Sequence, residues 1–136
     1  RIQRWGRNCR FDTCSKTKFE FVRMSMVHYM RLNHGPFMLI KSKQKSIEMR
    51  LNDDKRQKLK VGDQIEFTDK KNKEKIIVQV VNLHRFSSFE ELYNIFDKLK
   101  LGYQSGEVAS PADMEQYYSK DEMQKFGVVG IEINLL

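Results

Sequence analysis

Cysteine is scarce. The chain has two, Cys9 and Cys14, both near its start, and none in the rest of its 136 residues. A disulfide scaffold is therefore not expected in a chain of this length. The C-x4-C spacing has no second Cys/His pair close behind it, so the thiols read as free and reduced and no metal is expected. Long hydrophobic runs are missing too. The stretches Phe37-Met38-Leu39-Ile40 and Ile131 to Leu136 are core-sized and far short of the roughly 20 residues that cross a bilayer. The basic start, RIQRWGRNCRFDTCSK, has no apolar segment behind it and does not read as a secretory signal. The expectation is a cytoplasmic protein without a membrane partner. Neither an internal repeat nor a low-complexity tract is visible, and no cofactor motif stands out.

What is present suits one globular domain. Apolar residues make up 40% and charged residues 32% of the sequence, too apolar for a disordered chain, and the length suits a single core. The net charge of +7 is uneven. Residues 1–60 hold 16 basic and 5 acidic residues, against 9 and 13 in residues 61–136. Such asymmetry points to one face for an anionic partner. Residues 1–23, with Trp5, Phe11, Phe19 and Phe21, show no clear period. They read as a variable or non-native N-terminal extension, which puts the domain at 24–136. The local cluster 41–60, with eight Lys/Arg against three Asp/Glu, then carries the case for a polyanion.

The periodicity predicts a strand at Val27–Leu32, a turn at Asn33-His34-Gly35-Pro36 and a short helix from Phe37 to Lys43, with Pro36 at its opening. Ser46–Leu51 alternates, so Ile47, Met49 and Leu51 point to a core, and Ser46, Glu48 and Arg50 point away. Asn52-Asp53-Asp54 caps one helical turn ending by Leu59. A hairpin follows, made of Gln64–Thr68 and the Val/Ile-rich Lys75–Phe86. Ser88-Phe89-Glu90-Glu91 reads as a capping box opening a helix with Phe89, Leu92, Phe96 and Leu99 along its buried side. Ser110-Pro111 opens another helix. A second capping box, Ser119 to Glu122, opens a helix that Gly127 ends as a left-handed cap. Val128–Leu136 is the last strand. The fold class is mixed α/β (α+β), a small, partly closed β-barrel of five to six strands with short flanking helices.

The chemistry concentrates at Lys45, Glu48 and Arg50. Glu48 and Arg50 lie two apart on one strand face, roughly 7 Å between Cα atoms. A carboxylate accepts from the amino group of a base, and a guanidinium forks onto phosphate or stacks on a base. The same spacing also suits an exposed ion pair worth ~0–1 kcal/mol. His28, His34 and His84 are scattered and read as surface or packed side chains.

The stretch Lys43-Gln44-Lys45-Ser46-Ile47-Glu48-Met49-Arg50 resembles the ASCH family, of the PUA-like superfamily, whose pattern is G-x-K-x-x-E-x-R. Lys45, Glu48 and Arg50 match its charged positions, while Lys43 stands where the family has glycine, so the turn before the motif is expected to differ slightly. The likeness extends over about residues 26–135, through Leu51-Asn52-Asp53-Asp54-Lys55-Arg56, Val61-Gly62-Asp63, Phe89-Glu90-Glu91-Leu92, Leu101-Gly102-Tyr103, Asp113-Met114-Glu115 with Tyr117-Tyr118, and Gly127-Val128-Val129-Gly130-Ile131. The resemblance implies a β-barrel with a charged cleft and RNA or nucleotide binding. It also implies an enzymatic alternative. One branch hydrolyses acylated cytidine nucleosides with a Lys, a Thr and a later Glu; Lys45 matches the Lys, but Glu48 stands at the Thr position. Another member is described as a ribonuclease.

Three readings follow. In the first, a binding module, Lys45, Glu48 and Arg50 recognise a base or phosphate, flanked by Lys41, Lys55, Arg56 and Glu115. Tyr117 and Tyr118 are candidates to stack on a base, with one of the two expected in the core. In the second, a nucleoside hydrolase, Lys45 is the activated group and Glu48 or Glu115 moves protons. In the third, the basic face meets an acidic protein.

Overall fold

The computed structural model describes residues 25–136. The expected extension 1–23, with both cysteines, lies outside the described residues. In chain order come β1 (Val27–Leu32), α1 (His34–Lys41), β2 (Ile47–Leu51), the one-turn α2 (Asp54–Gln57), β3 (Gln64–Asp69), β4 (Lys75–Phe86), α3 (Phe89–Ile95), a 3-10 turn (Pro111–Gln116), α4 (Lys120–Phe126) and β5 (Val128–Leu135). None of the helices among the described residues is long and apolar enough to cross a membrane.

The strands form one sheet in the order β1-β3-β4-β5-β2. Among the described strands only the β1–β3 pair is parallel; the others are antiparallel. The long β4 pairs β3 through residues 75–79 and β5 along nearly all its length, with a register shift between Val80 and Asn82. An extra residue in one strand bends and twists it, and here the sheet curls into a half-barrel. Among the described strands, β1 and β2 stand at its two edges.

Two apolar clusters flank β5. Inside the curl, Val129 and Ile131 pack with Phe37 and Ile40 of α1 and with Ile65, Phe67, Val78 and Val80. On the outer side, Val128 packs with Ile47, Met49, Phe89, Leu92, Leu101 and Met114. β5 is therefore covered on both faces, which is why its apolar residues run nearly without a break instead of alternating.

Several boundaries differ from the sequence reading. The residues predicted as a turn before Phe37 are the first helical turn. Asn33 caps α1 in an extended conformation, and Pro36 sits where its missing N–H costs nothing. The helix ends at Lys41, not Lys43, because Lys43 takes φ +69°. Leu99 lies beyond α3 and is 46% exposed, so the buried side ends with Phe96. The box at Ser88 is half formed. Ser88 accepts from the Glu91 N–H, while the Glu91 carboxylate reaches Ser87 instead. Both bonds of the Ser119–Glu122 box are present. Gly127 has φ +70° but ψ −169°, so it is not a left-handed helical cap but a glycine in an extended positive-φ conformation.

The histidines are each tied to a carboxylate: His28 to Asp63 at 2.9 Å, His34 to Asp69 at 2.7 Å and His84 to Glu132 at 3.0 Å. The first pair is buried and fastens β1 to the turn before β3, since Asp63 also accepts from the backbone of Met26 and Lys60.

Candidate functional site

Cross-strand partners share a face of the sheet. Glu48 stands opposite Ile131, and Arg50 opposite Val129, and both partners belong to the core inside the curl. The charged residues of β2 therefore face inward, not toward bulk water as alternation suggested. Their apolar neighbours Ile47 and Met49 fill the outer core.

Lys45 reaches the same place from the link between α1 and β2. The backbone N–H groups of Gln44 and Lys45 both donate to Leu39 O, and those of Ser46 and Ile47 to Lys100 O. This tight exit needs the positive φ of Lys43. The lysine thus adopts a conformation that glycine takes more easily. A left-handed conformation costs an ordinary residue about 1–2 kcal/mol, and β-branching makes it worse. Lys43→Val is expected to lower stability by about 1–2 kcal/mol in urea unfolding, while Lys43→Gly leaves it equal or slightly higher. Gly102, at φ +105°, lies over the lysine stem. A Cβ there would sit 3.0 Å from Lys45 Cδ.

The three charges form a linked cluster. Lys45 Nζ is 2.9 Å from Glu48 Oε1, and Arg50 Nε is 2.9 Å from Glu48 Oε2. The Glu48 side chain is only 5% exposed. Burial alone would push its pKa up, but the charges of Lys45 and Arg50 outweigh burial and bring it down to about 2. The carboxylate stays ionised. Burial opposes the charge on Arg50, but Glu48 more than offsets it and raises the pKa further. Arg50 also donates to Arg31 O at 2.8 Å, and Lys55 donates to Tyr29 O at 2.6 Å. Side chains from β2 and α2 thus reach across to carbonyls of the β1 edge.

This cluster forms one wall of a cavity of about 460 Å³, within the range of small-ligand sites. Arg31, Asn33 and Lys70 stand at its β1 side, and Pro36 and Leu39 belong to α1. Opposite are Tyr93, Tyr103, Asp113, Tyr117 and Tyr118. Tyr103 donates to Asp113 Oδ2 at 2.7 Å and shares a 2.8 Å hydrogen bond with the Tyr93 hydroxyl. Burial pushes the pKa values of Tyr93, Tyr103 and Tyr118 above the usual phenol range, so all three are neutral hydroxyls. Tyr118 stacks on Phe89 at a 6.1 Å centroid distance and belongs to the outer core, while Tyr117 is 51% exposed. Tyr118 is the more packed of the pair, and the exposed Tyr117 ring leans on it at a centroid distance of 6.4 Å.

The structure brings together Lys45, Glu48, Arg50, Tyr117 and Tyr118. It does not bring in four other residues named from the sequence. Lys41 is paired with Glu74 on the hairpin side. Lys55 and Arg56 lie in a neighbouring trough. Glu115 faces a separate depression beside Ser88 and Lys120. The exposed-ion-pair reading also fails, since Glu48 and Lys45 are both buried. Arg31, Asn33, Lys70, Tyr93, Tyr103 and Asp113 were not singled out by the sequence.

A family model for the ASCH domain matches residues 30–136. The chain belongs to the ASCH family. Among solved structures it is similar to the crystal structure of "hypothetical protein PH0355", at 31% identity and a TM-score of 0.70, over 82% of this chain and 100% of that one. It is also similar to the solution structure of protein PF0455 from Pyrococcus furiosus, at 34% identity and a TM-score of 0.60, over 82% of this chain and 98% of that one. No curated protein matches. The half-barrel with flanking helices is the PUA-like ASCH fold that the sequence led us to expect.

Proposed function

We propose that this ASCH domain binds a nucleotide unit, free or within RNA, with its base in the cavity. The observation that carries the reading is a buried carboxylate, held ionised between two cations, in the wall of a tyrosine-lined cavity. An ionised carboxylate has about four acceptor sites. Lys45 and Arg50 use one on each oxygen, which leaves others for the exocyclic amino group of a base. The half-exposed Tyr117 ring offers a stacking surface, and Arg31 and Lys70 offer charge to a phosphate. A PUA-like ASCH fold, often linked to RNA, agrees with this.

The hydrolase reading has less to stand on. No described residue lining the cavity offers a Ser or Thr hydroxyl, a thiol or an imidazole. The Lys45 amine is engaged by Glu48, and Glu115 lies elsewhere.

Stacking on an aromatic ring is worth about 1–3 kcal/mol per base. Titrations with the four nucleoside monophosphates and with short single-stranded RNA are expected to show binding that Tyr117→Ala weakens by about 5–150-fold and that Tyr117→Phe largely retains. Absence of binding to every one of these at low salt would sink the reading. Cytidine released from acylated cytidine nucleosides, and lost in Lys45→Ala, would establish the hydrolase instead.

A further inference from the structure

A trough of about 730 Å³ lies beside the cavity at the β1 edge, between α2 and the β3–β4 hairpin. It shares Arg31, Arg50 and Lys70 with the cavity, so the two adjoin at these side chains. Seven of its eleven described lining residues are Lys or Arg, and Glu66 is the only acid among them. Much of this charge is not neutralised internally. Lys55 donates to a neutral carbonyl. Among the described residues no carboxylate lies in ion-pair range of Lys55, Lys70 or Lys73. Burial, and then the neighbouring charges of Arg56 and Arg50, hold the ammonium of Lys55 below the usual lysine range. A row of uncompensated cations along a trough is what a phosphodiester chain neutralises, releasing its counterions. An aromatic cavity adjoining it is where such a chain can place a base.

We propose that the trough carries the sugar-phosphate backbone next to the nucleotide whose base enters the cavity, so that the ligand is a single-stranded oligonucleotide and not a free nucleotide. This rests on the cavity reading above and adds the identity of the ligand class. The strand leaves the cavity past Arg31 and Lys70 and continues over Lys55 and Lys73. The cavity selects a base, while the trough supplies affinity that depends on length and salt but not on sequence.

The test uses an eight-nucleotide single-stranded RNA and the four nucleoside monophosphates, each titrated into wild type and into Lys55→Ala/Lys73→Ala. Both lysines are exposed and lie outside the cavity. The octanucleotide is expected to bind at least tenfold tighter than any monophosphate at low salt. The double variant is expected to lose at least tenfold for the octanucleotide and less than twofold for the monophosphates, with the slope of log affinity against log salt reduced by about 1.4. An octanucleotide that binds no tighter than a monophosphate, or a double variant that binds it like wild type, overturns the trough proposal and leaves the cavity reading intact. Polyglutamate or phosphatidylserine vesicles that compete as well as the RNA overturn it too. Failure of every nucleotide ligand overturns both.

Discussion

Glu48→Gln is expected to destabilise the domain by about 3 kcal/mol at pH 7. The substitution keeps shape and volume but leaves Lys45 and Arg50, both mostly buried, without the charge that balances them. Removing one member of a buried ionic group costs about 3–5 kcal/mol, because the remaining charge stays desolvated. For a domain of this size the melting temperature falls by roughly 10 °C. Glu48 titrates at about 2 in the folded domain against an ordinary value of 4.5. Its folded pKa is depressed, so its contribution is complete above about pH 4.5 and is lost as pH falls toward 2. A shift of this size corresponds to about 3 kcal/mol. The gap between wild type and Glu48→Gln is therefore expected to narrow through that window in urea unfolding. A triple variant, Lys45→Met/Glu48→Leu/Arg50→Met, is expected to lose less than Glu48→Gln, since no charge remains buried. A Glu48→Gln protein as stable as wild type would mean that water, not the fold, solvates these groups.

Gly127→Ala is expected to cost about 3 kcal/mol or more. At φ +70° and ψ −169° the residue occupies a region that is essentially glycine's alone, and other side chains are strained there by about 1–3 kcal/mol. An added Cβ would also lie 2.8 Å from Phe86 O. That oxygen belongs to the backbone of β4, next to the Phe86–Val128 pair of the sheet, and cannot turn aside as a side chain can. Gly127 also holds the junction. Its N–H donates to Met123 O, closing α4, and its carbonyl accepts from Asn52 N–H beside β2. Displacement here shifts β5 against β2, and with it the strand that presents Glu48 and Arg50. The comparison is Gly106→Ala, whose Cβ meets nothing within 4 Å and which is expected to change stability by less than about 0.5 kcal/mol. Denaturant midpoints of the two variants decide it. Equal midpoints would refute the account.

Local chemistry made most elements legible. The Ser119 box, the Asp53 cap, the hairpin and the Val/Ile-rich β4 each announce themselves within a dozen residues. The parallel β1–β3 pairing does not, because it joins segments more than 30 residues apart, and the β1 edge of the half-barrel depends on it. Alternation placed Glu48 and Arg50 together on one face, but it cannot say what covers that face. Covering comes from β1 and from the segment around Tyr103 and Tyr118, which are distant in sequence. Nearness along the chain did not separate the cavity from its surroundings: Lys55 and Arg56 turn into the neighbouring trough, and Glu115 faces a separate depression. Leu101-Gly102-Tyr103 and Asp113-Met114 were visible as blocks resembling the family, but nothing local tied them to Lys45 across more than 50 residues of chain. Arg31 and Lys70 carried no comparable signal.

The cations that reach the β1 edge have a bearing on solubility. An unpaired strand edge recruits the strands of other molecules and starts aggregates. Here the carbonyls of Tyr29 and Arg31 are already occupied by Lys55 and Arg50, and a second copy approaching that border meets positive charge in place of free acceptors. The same two side chains thus occupy acceptors that an incoming strand would need.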